Sequence, residues 1–473
     1  MAHVNLNAAG DLARESLEEE AHATSNALPD PVPWPRPGLA WYTVAILLIA
    51  YMFAYVDRAI LTVLVEPIQR DFHINDTQIG LLHGFAFVIF YASLGVPLGY
   101  IADRFSRKKL IVVSIALWSL ATASGAMTKS FGGLFASRIA VGIGEAGLSP
   151  ASYSMIADNF APAKRSLATG IYTIAIYLGG GMAILIGGAL VAIIGPAPTV
   201  VVPVLGTIRA WQLLFLMVGL PGLIVSAVAL TLREPARHAV SDEVPGQTLG
   251  SKLAEVLSHI KSLRRLYLCH FFGFAFLGVS FNVVLLWARP YLSRSFGMGR
   301  SDAAMLVGTL MIVFATAGII CGSLLADRWQ ARGKVDATVR VGLLASSMIL
   351  IPLIAYPMMS SVFSVGICLA LLLFCGAFSF GAAPPALHLV TPNRMRAIAS
   401  GLYLMVNNLV ALTVGPTLTG ALTDYVFHDP RQIGLASSIV GAGSACIAIV
   451  LFALMLRPYR EAAIRLSPGV VKA

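Results

Sequence analysis

The chain has 473 residues, 57% of them hydrophobic and only 12% charged, with a mean hydropathy of +0.80 and a formal net charge of +10. An average soluble domain is about 25% charged, so this composition excludes a soluble protein. Long unbroken apolar runs also exclude a β-barrel, whose strands alternate over about ten residues.

In chain order, residues 1–40 come first. They are acidic at Glu18-Glu19-Glu20, then proline-rich at Pro31, Pro33, Pro35 and Pro37. No basic stretch followed by an apolar core is present there, so the segment reads as a disordered tail rather than a signal sequence. Twelve stretches fit to cross a bilayer follow at 41–65, 77–102, 108–128, 131–158, 166–194, 211–232, 266–293, 302–326, 340–359, 361–388, 397–424 and 434–457. The fold class predicted is an all-α polytopic membrane protein of twelve transmembrane helices. They form two pseudo-symmetric six-helix bundles, 41–232 and 266–457, with a polar linker at 233–265 and a tail at 458–473.

The halves repeat. Arg165-Ser-Leu-Ala-Thr-Gly170-Ile-Tyr172 recurs 231 residues later as Arg396-Ala-Ile-Ala-Ser-Gly401-Leu-Tyr403, and Asp103-Arg104 recurs 224 residues later as Asp327-Arg328. Parallel repeats with a site between them describe a secondary transporter. With the N-terminus inside, 24 Lys and Arg lie on the inner side and 7 on the outer. The positive-inside rule then places both termini in the cytoplasm. The basic charge is topological, and no nucleic-acid partner is expected. Short loops and tails point to a bacterial inner membrane, and a monomer is expected.

Three charges interrupt the apolar runs: Asp57 in the first span, and Arg138 and Glu145 in the fourth. A charge at the bilayer centre costs at least about 2.5–3.5 kcal/mol, which argues for use. The two spans run in opposite directions, so Asp57 and Arg138 sit at similar depth and can pair. Glu145 lies two turns beyond Arg138 on the same face, about 10 Å deeper. Such a set reads as a proton relay; the alternative is a static structural pair. Arg138 stays charged and can hold Asp57 or an anionic headgroup. Arg58 points about 100° round the helix, toward Glu66 or outward. Glycines Gly142, Gly144 and Gly147 thin the fourth span for close packing. His83, His270 and His388 also lie in spans and read as hydrogen-bonded packing histidines; the alternative is a proton carrier.

The second span ends in Gly99-Tyr-Ile-Ala-Asp103-Arg104-Phe-Ser-Arg107-Lys108. Gly99 suits close helix approach, and the charges suit a cytoplasmic latch between the halves. Asp327-Arg328 is a weaker second copy, with Ser323 in place of the glycine. In the seventh and tenth spans, Phe274, Phe281, Asn282 and Phe378 are candidates for an aromatic wall facing Tyr55 and the charged spans; simple packing is the alternative. Such a cavity suits an amphipathic substrate. Cys269, Cys321, Cys368, Cys375 and Cys446 all lie in spans without metal spacing, so no metal or other cofactor is expected beyond protons.

These residues resemble the major facilitator superfamily over nearly the whole chain. Within it, the N-terminal half looks most like the Spinster family, through Tyr55-Val-Asp57-Arg58, Gly99-Tyr-Ile-Ala-Asp103-Arg104, Trp118-Ser119 and Arg138 with Gly144-Glu145-Ala146. The resemblance implies proton-coupled transport of amphipathic lipids, lysophospholipid or sphingosine-1-phosphate in kind, by alternating access. Asp57, Arg58, Arg138 and Glu145 would serve proton coupling and gating. The chain departs at Ala54, where the family has asparagine, and its C-terminal half matches only the general superfamily. A proton-coupled organic-anion or drug carrier of the same fold is the alternative, although the fourth span lacks a Glu-Gly-Pro element. An enzyme is not expected: there is no paired histidine box, no G-x-S-x-G and no CDP-alcohol-type acidic motif. A scaffold or sensor would carry a sizeable soluble domain, which the sequence lacks.

Overall fold

Local chemistry sets where each helix starts and stops in the computed structural model, which describes residues 34–160, 162–194, 199–202, 206–237, 249–392 and 395–466. Of the tail predicted to be disordered at 1–40, residues 1–33 lie outside the described residues, as do 467–473 and part of the linker, whereas Pro37 to Ala40 are the first turn of the first helix. Helix α1 (Pro37–Val63) opens on proline, whose missing N–H costs nothing in a first turn. The short α2 (Val65–Phe72) carries Glu66 and ends at His73 in the left-handed region. Asn75 and Gln78 cap each other's backbone at the start of α3 (Asp76–His83), and α4 (Phe85–Arg104) continues the second span. Ser106 and Ser130 cap α5 (Arg107–Gly125) and α6 (Phe131–Glu145), which is followed by α7 (Leu148–Asn159) and the long α8 (Pro162–Ile194).

A two-stranded antiparallel hairpin, β1 (Thr199–Val202) and β2 (Gly206–Arg209), pairs Thr199 with Arg209 and leads into α9 (Ala210–Ala229). The linker holds α10 (Leu249–Ser262). Helix α11 (Arg264–Phe296) ends at Gly297, whose φ of +65 favours glycine. Then come α12 (Arg300–Leu310), α13 (Thr316–Ala331), α14 (Ala337–Ala355), α15 (Val362–Ala377), α16 (Ala383–Leu389), α17 (Arg396–Leu409), α18 (Gly415–Leu422) and α19 (Ile433–Leu466).

The protein is all-α and polytopic. Among the described residues, 10 helices are long and apolar enough to cross a membrane. The fourth and tenth predicted spans are the exceptions, each divided into two shorter helices: α6 and α7, then α15 and α16. The cause is proline. Pro150 offers no N–H to the carbonyl of Ala146, and Pro384 and Pro385 offer none to Phe380 and Gly381. Outward-facing side chains such as Ile224, Ile351 and Phe363 are 67–79% exposed, an apolar surface suited to a bilayer. The N-terminal half (up to residue 237) packs through α1 on α8 and α5 on α9; the C-terminal half (from 249) packs through α11 and α14 on α19. Across the halves, α8 meets α12, α3 meets α18 and α4 meets α17.

Candidate functional site

Helices α1 and α6 each bring one carboxylate and one arginine into a common interior. Asp57 and Arg58 are adjacent and diverge by about 100°; Arg138 and Glu145 lie seven residues apart on one face. The pairs interlock. Asp57 Oδ2 accepts from Arg138 Nη1 at 3.4 Å, and Glu145 Oε2 accepts from Arg58 Nε at 2.7 Å. Asp57, Arg138 and Glu145 are each only 1% exposed. The guanidinium of Arg58 lies 4.8, 4.6 and 4.4 Å from the ring centroids of Tyr55, Phe87 and Tyr91, so its charge is shared between Glu145 and three aromatic faces. Glycine permits the approach: a Cβ on Gly142 would strike the carbonyl oxygen of Phe87, and one on Gly144 would lie 2.6 Å from the Trp118 nitrogen. Glu145 Oε1 and Arg138 Nε have no partner among the described residues, leaving the cluster under-satisfied.

Two sequence expectations change here. Arg58 pairs neither with Glu66 nor with the outside, because its face of α1 looks onto α4 and α6. Glu145 is therefore the partner of Arg58 rather than a second carboxylate waiting on Arg138.

Glu66 belongs to a second cluster that joins the two halves. Arg289 is 2% exposed, and its Nε donates to Thr62 O at 2.8 Å while Nη1 donates to Glu66 at 3.0 Å. Arg294 grips Asp76 with both terminal nitrogens, at 2.7 and 2.8 Å, and reaches Gln69 at 2.9 Å. From the C-terminal half, Asp424 accepts from the Thr77 N–H at 2.7 Å and its hydroxyl at 2.6 Å, and so caps the start of α3 from across the interface. Burial pushes the Glu66 carboxyl up, but Arg289 and Arg294 outweigh it and hold the group below its ordinary range. Below the clasp the backbones meet. A Cβ on Gly84 would enter the Leu412 carbonyl, and one on Gly80 would sit 2.6 Å from Thr417 Cα. Both ion pairs that cross between the halves among the described residues lie at this end. Sequence reading missed this clasp. Its signal was Arg289, a charge inside the predicted span 266–293, which the charge count instead assigns to the outer side.

Among the described residues, the proposed latch side chains do not bridge the halves. Arg107 is buried and bonds to Asp158, to Glu234 at 2.7 Å and to Pro235 O at 2.9 Å, all within the N-terminal half. Glu234 also accepts from the Lys108 N–H at 2.9 Å, and these bonds, with Arg107, hold its carboxyl low against burial. Arg104 is exposed and lies over Tyr100, while the Asp103 side chain lies outside the described residues. A Cβ on Gly99 would make only ordinary contact with Pro150, at 3.6 Å, so Gly99 is not a tight crossing point. Asp327 and Arg328 are exposed.

The aromatic wall also differs. Phe274 packs edge-on against Phe452 at 4.8 Å and beside His270, Phe281 packs against Phe380, and Phe378 is 6% exposed. These rings are held by their own half. The half-buried Asn282 donates to Gly278 O, and Tyr55 packs on Tyr51. His270 and His388 bond to Ala383 O and Ser400 Oγ. Among the described residues no group of three His, Cys, Asp or Glu is placed to hold a metal ion.

An apolar helical chain that buries arginine–carboxylate pairs in its spans, and joins its two halves by a charged clasp at one end, has the build of a secondary transporter. The chain belongs to the Major Facilitator Superfamily, whose family model matches residues 47–416. It is a transporter and not an enzyme. It is 27% identical over 445 residues to an MFS-type efflux pump of Mycolicibacterium smegmatis, covering 90% of this chain and 94% of that one. It is 24% identical over 422 residues to protein spinster of Drosophila melanogaster, covering 84% of this chain but only 65% of the fly protein. Its fold matches the crystal structure of a bacterial homologue of the human lysosomal transporter Spinster, in an inward-facing, unoccupied conformation. The TM-score is 0.73 at 24% identity, over 91% of this chain and 98% of that one.

Proposed function

We propose that this protein is a proton-coupled transporter of amphipathic lipids, of lysophospholipid or sphingosine-1-phosphate type, working by alternating access. The observation that carries this reading is the interlocked pair of buried ion pairs, Asp57–Arg138 and Arg58–Glu145. A proton on either carboxylate cancels half of a pair and frees a guanidinium for an anionic headgroup. Tyr55, Phe87 and Tyr91 around Arg58 supply an apolar rim beside that charge. The likeness to Spinster relatives supports the lipid class. In this reading twelve spans form two six-helix bundles, both termini are cytoplasmic, and a monomer works in a bacterial inner membrane. The Arg289–Arg294 clasp is then the outer gate, closed here.

The test uses proteoliposomes with an imposed pH gradient and a labelled lysophospholipid, with and without protonophore. Gradient-driven movement that collapses with protonophore is the expected result. Movement no faster than in empty vesicles would falsify the lipid assignment. The likeness to a mycobacterial efflux pump favours a second reading, export of drugs or organic anions. In that case soluble drugs or carboxylates compete for transport, and lysophospholipid does not.

A further inference from the structure

The repeat of the two halves exposes a cavity that the N-terminal half fills with its own side chain. There, Arg107 in the first turn of α5 is 1% exposed, with its guanidinium against Ser154, Asp158 and Pro235 O. The second half gains its extra residues between Arg328 and the start of α14, so beyond that point the 231-residue offset applies and carries Arg107 to Thr338, Ser154 to Pro385 and Asp158 to Leu389. Those three residues, with Tyr459, His388, Arg396 and Gln330, line a cavity of about 310 Å³. That is the lower end of the range for small-molecule sites, about 300–1,000 Å³.

The clamp above this space survives with its charges exchanged. Glu234 holds the start of α5 through Ser106, Arg107 and Lys108. Asp336, at the start of α14, instead binds Arg340 and Arg460, each at 2.8 Å. The guanidinium that fills the interior has no counterpart at Thr338, nor have the groups it bonds to at Pro385 and Leu389.

The lining says what fits. Asp158 has become Leu389, so the anionic partner is lost, and His388 stands where the first half has Ala157; Arg396 is the repeat counterpart of Arg165. Arg396 Nε donates to the carbonyls of His388 and Thr391 at 3.0 and 3.1 Å; its two terminal amino groups have no partner among the described residues. Both oxygens of the nearby Asp336 carboxylate are engaged by arginines. Gln330, exposed at the end of α13, stands at the mouth.

We infer that this cavity binds a phosphate-bearing anion, with the phosphate on Arg396 and the Thr338 hydroxyl, and any attached chain against Pro385 and Leu389; the Tyr459 hydroxyl, which donates to Ala386 O at 2.9 Å, only lines the wall. The bound group would tie α14, α16 and α19 together, as Arg107 ties α5, α7 and the linker. The source is a lipid headgroup or free phosphate.

The test titrates the detergent-purified full chain with short-chain phosphatidylglycerol, short-chain phosphatidylcholine or inorganic phosphate, reading the unfolding midpoint and lipid retention by native mass spectrometry. Phosphatidylglycerol is expected to stabilise and be retained, and phosphatidylcholine to do neither. Stabilisation by inorganic phosphate alone supports the same site with free phosphate as its source. Gln330→Glu places a negative charge at the mouth without touching a buried bond and should weaken binding about five-fold. Thr338→Phe fills the cavity and should abolish binding. No response to either phosphate probe overturns the inference, and so does binding that Gln330→Glu leaves unchanged. Neither result bears on the transport reading.

Discussion

At the level of single residues, the pattern of charge in an apolar run was enough to find three of the four members of the central cluster. Asp57, Arg138 and Glu145 stood out because each interrupts a span. The partner of Arg58 did not, because the direction of a side chain on α1 has meaning only once the neighbouring helices are placed. The pairing predicts how mutations combine. Removing one member of a buried pair leaves the other charge uncompensated, at a cost of about 3–5 kcal/mol, whereas replacing both by apolar groups is often nearly neutral. Asp57→Leu and Arg138→Leu should therefore each lower the unfolding midpoint in detergent, and the double variant should recover most of the loss. If the double variant is as unstable as the sum of the singles, Asp57 and Arg138 do not act as a pair. For transport, Asp57→Asn should keep binding but lose its dependence on the pH gradient. Undiminished gradient-driven uptake in that variant would remove Asp57 from the coupling role.

Among the helices, the sequence showed where the apolar runs lie but not how they break or touch. Hydropathy runs straight through Pro150 and through Pro384-Pro385, so the division of the fourth and tenth spans is invisible to a length criterion, although the prolines that cause it are plain to see. The contacts between α3 and α18 were equally hidden. Gly80, Gly84 and Gly420 are unremarkable in a membrane sequence, and only the opposing backbone gives them meaning. Opposite two such close approaches the backbone widens into π-helical turns, Met311–Ala315 facing Gly180 and Gly181, and Val410–Val414 facing Gly84. Turns of this kind often mark functional positions in helices. If the seal is steric, a larger side chain at Gly84 must hold the clasp end apart, because the atom it meets is a backbone carbonyl that no rotamer change can move. Gly84→Leu should raise the labelling rate of a thiol introduced by Gln69→Cys, measured with a membrane-impermeant maleimide, relative to Gln69→Cys alone. An unchanged rate would show that the clasp end tolerates the added bulk and is not sealed by backbone contact.

For the molecule as a whole, the two halves share an outline but not a chemistry. The N-terminal half carries the buried ion pairs, and the C-terminal half contributes packed rings and the arginines of the clasp. The repeat was legible because Arg165–Tyr172 and Arg396–Tyr403 keep their order, and both tyrosines are buried, at 0% and 5% exposure. The clasp was not legible, because it joins residues more than two hundred positions apart. It should make closure of this end depend on acidity. Glu66 has an ordinary value of 4.5 and is held below it by Arg289 and Arg294 when this end is closed. A carboxyl with a depressed value contributes its full stabilisation above the ordinary value and loses it as pH falls through the depressed one. Closure should therefore be insensitive to Glu66 titration near neutrality and should weaken in strong acid. Glu66→Gln should loosen this end at neutral pH, since the Arg289 guanidinium then faces only neutral acceptors, the amide oxygen and the Thr62 carbonyl, and should remove that part of the acid response. Distances between spin labels placed on α2 and α12, followed from neutral to strongly acidic pH, check both points. If the wild-type distances stay fixed through strong acid, or Glu66→Gln matches the wild type at neutral pH, then Arg294 with Asp76 and Asp424 holds the halves together without Glu66.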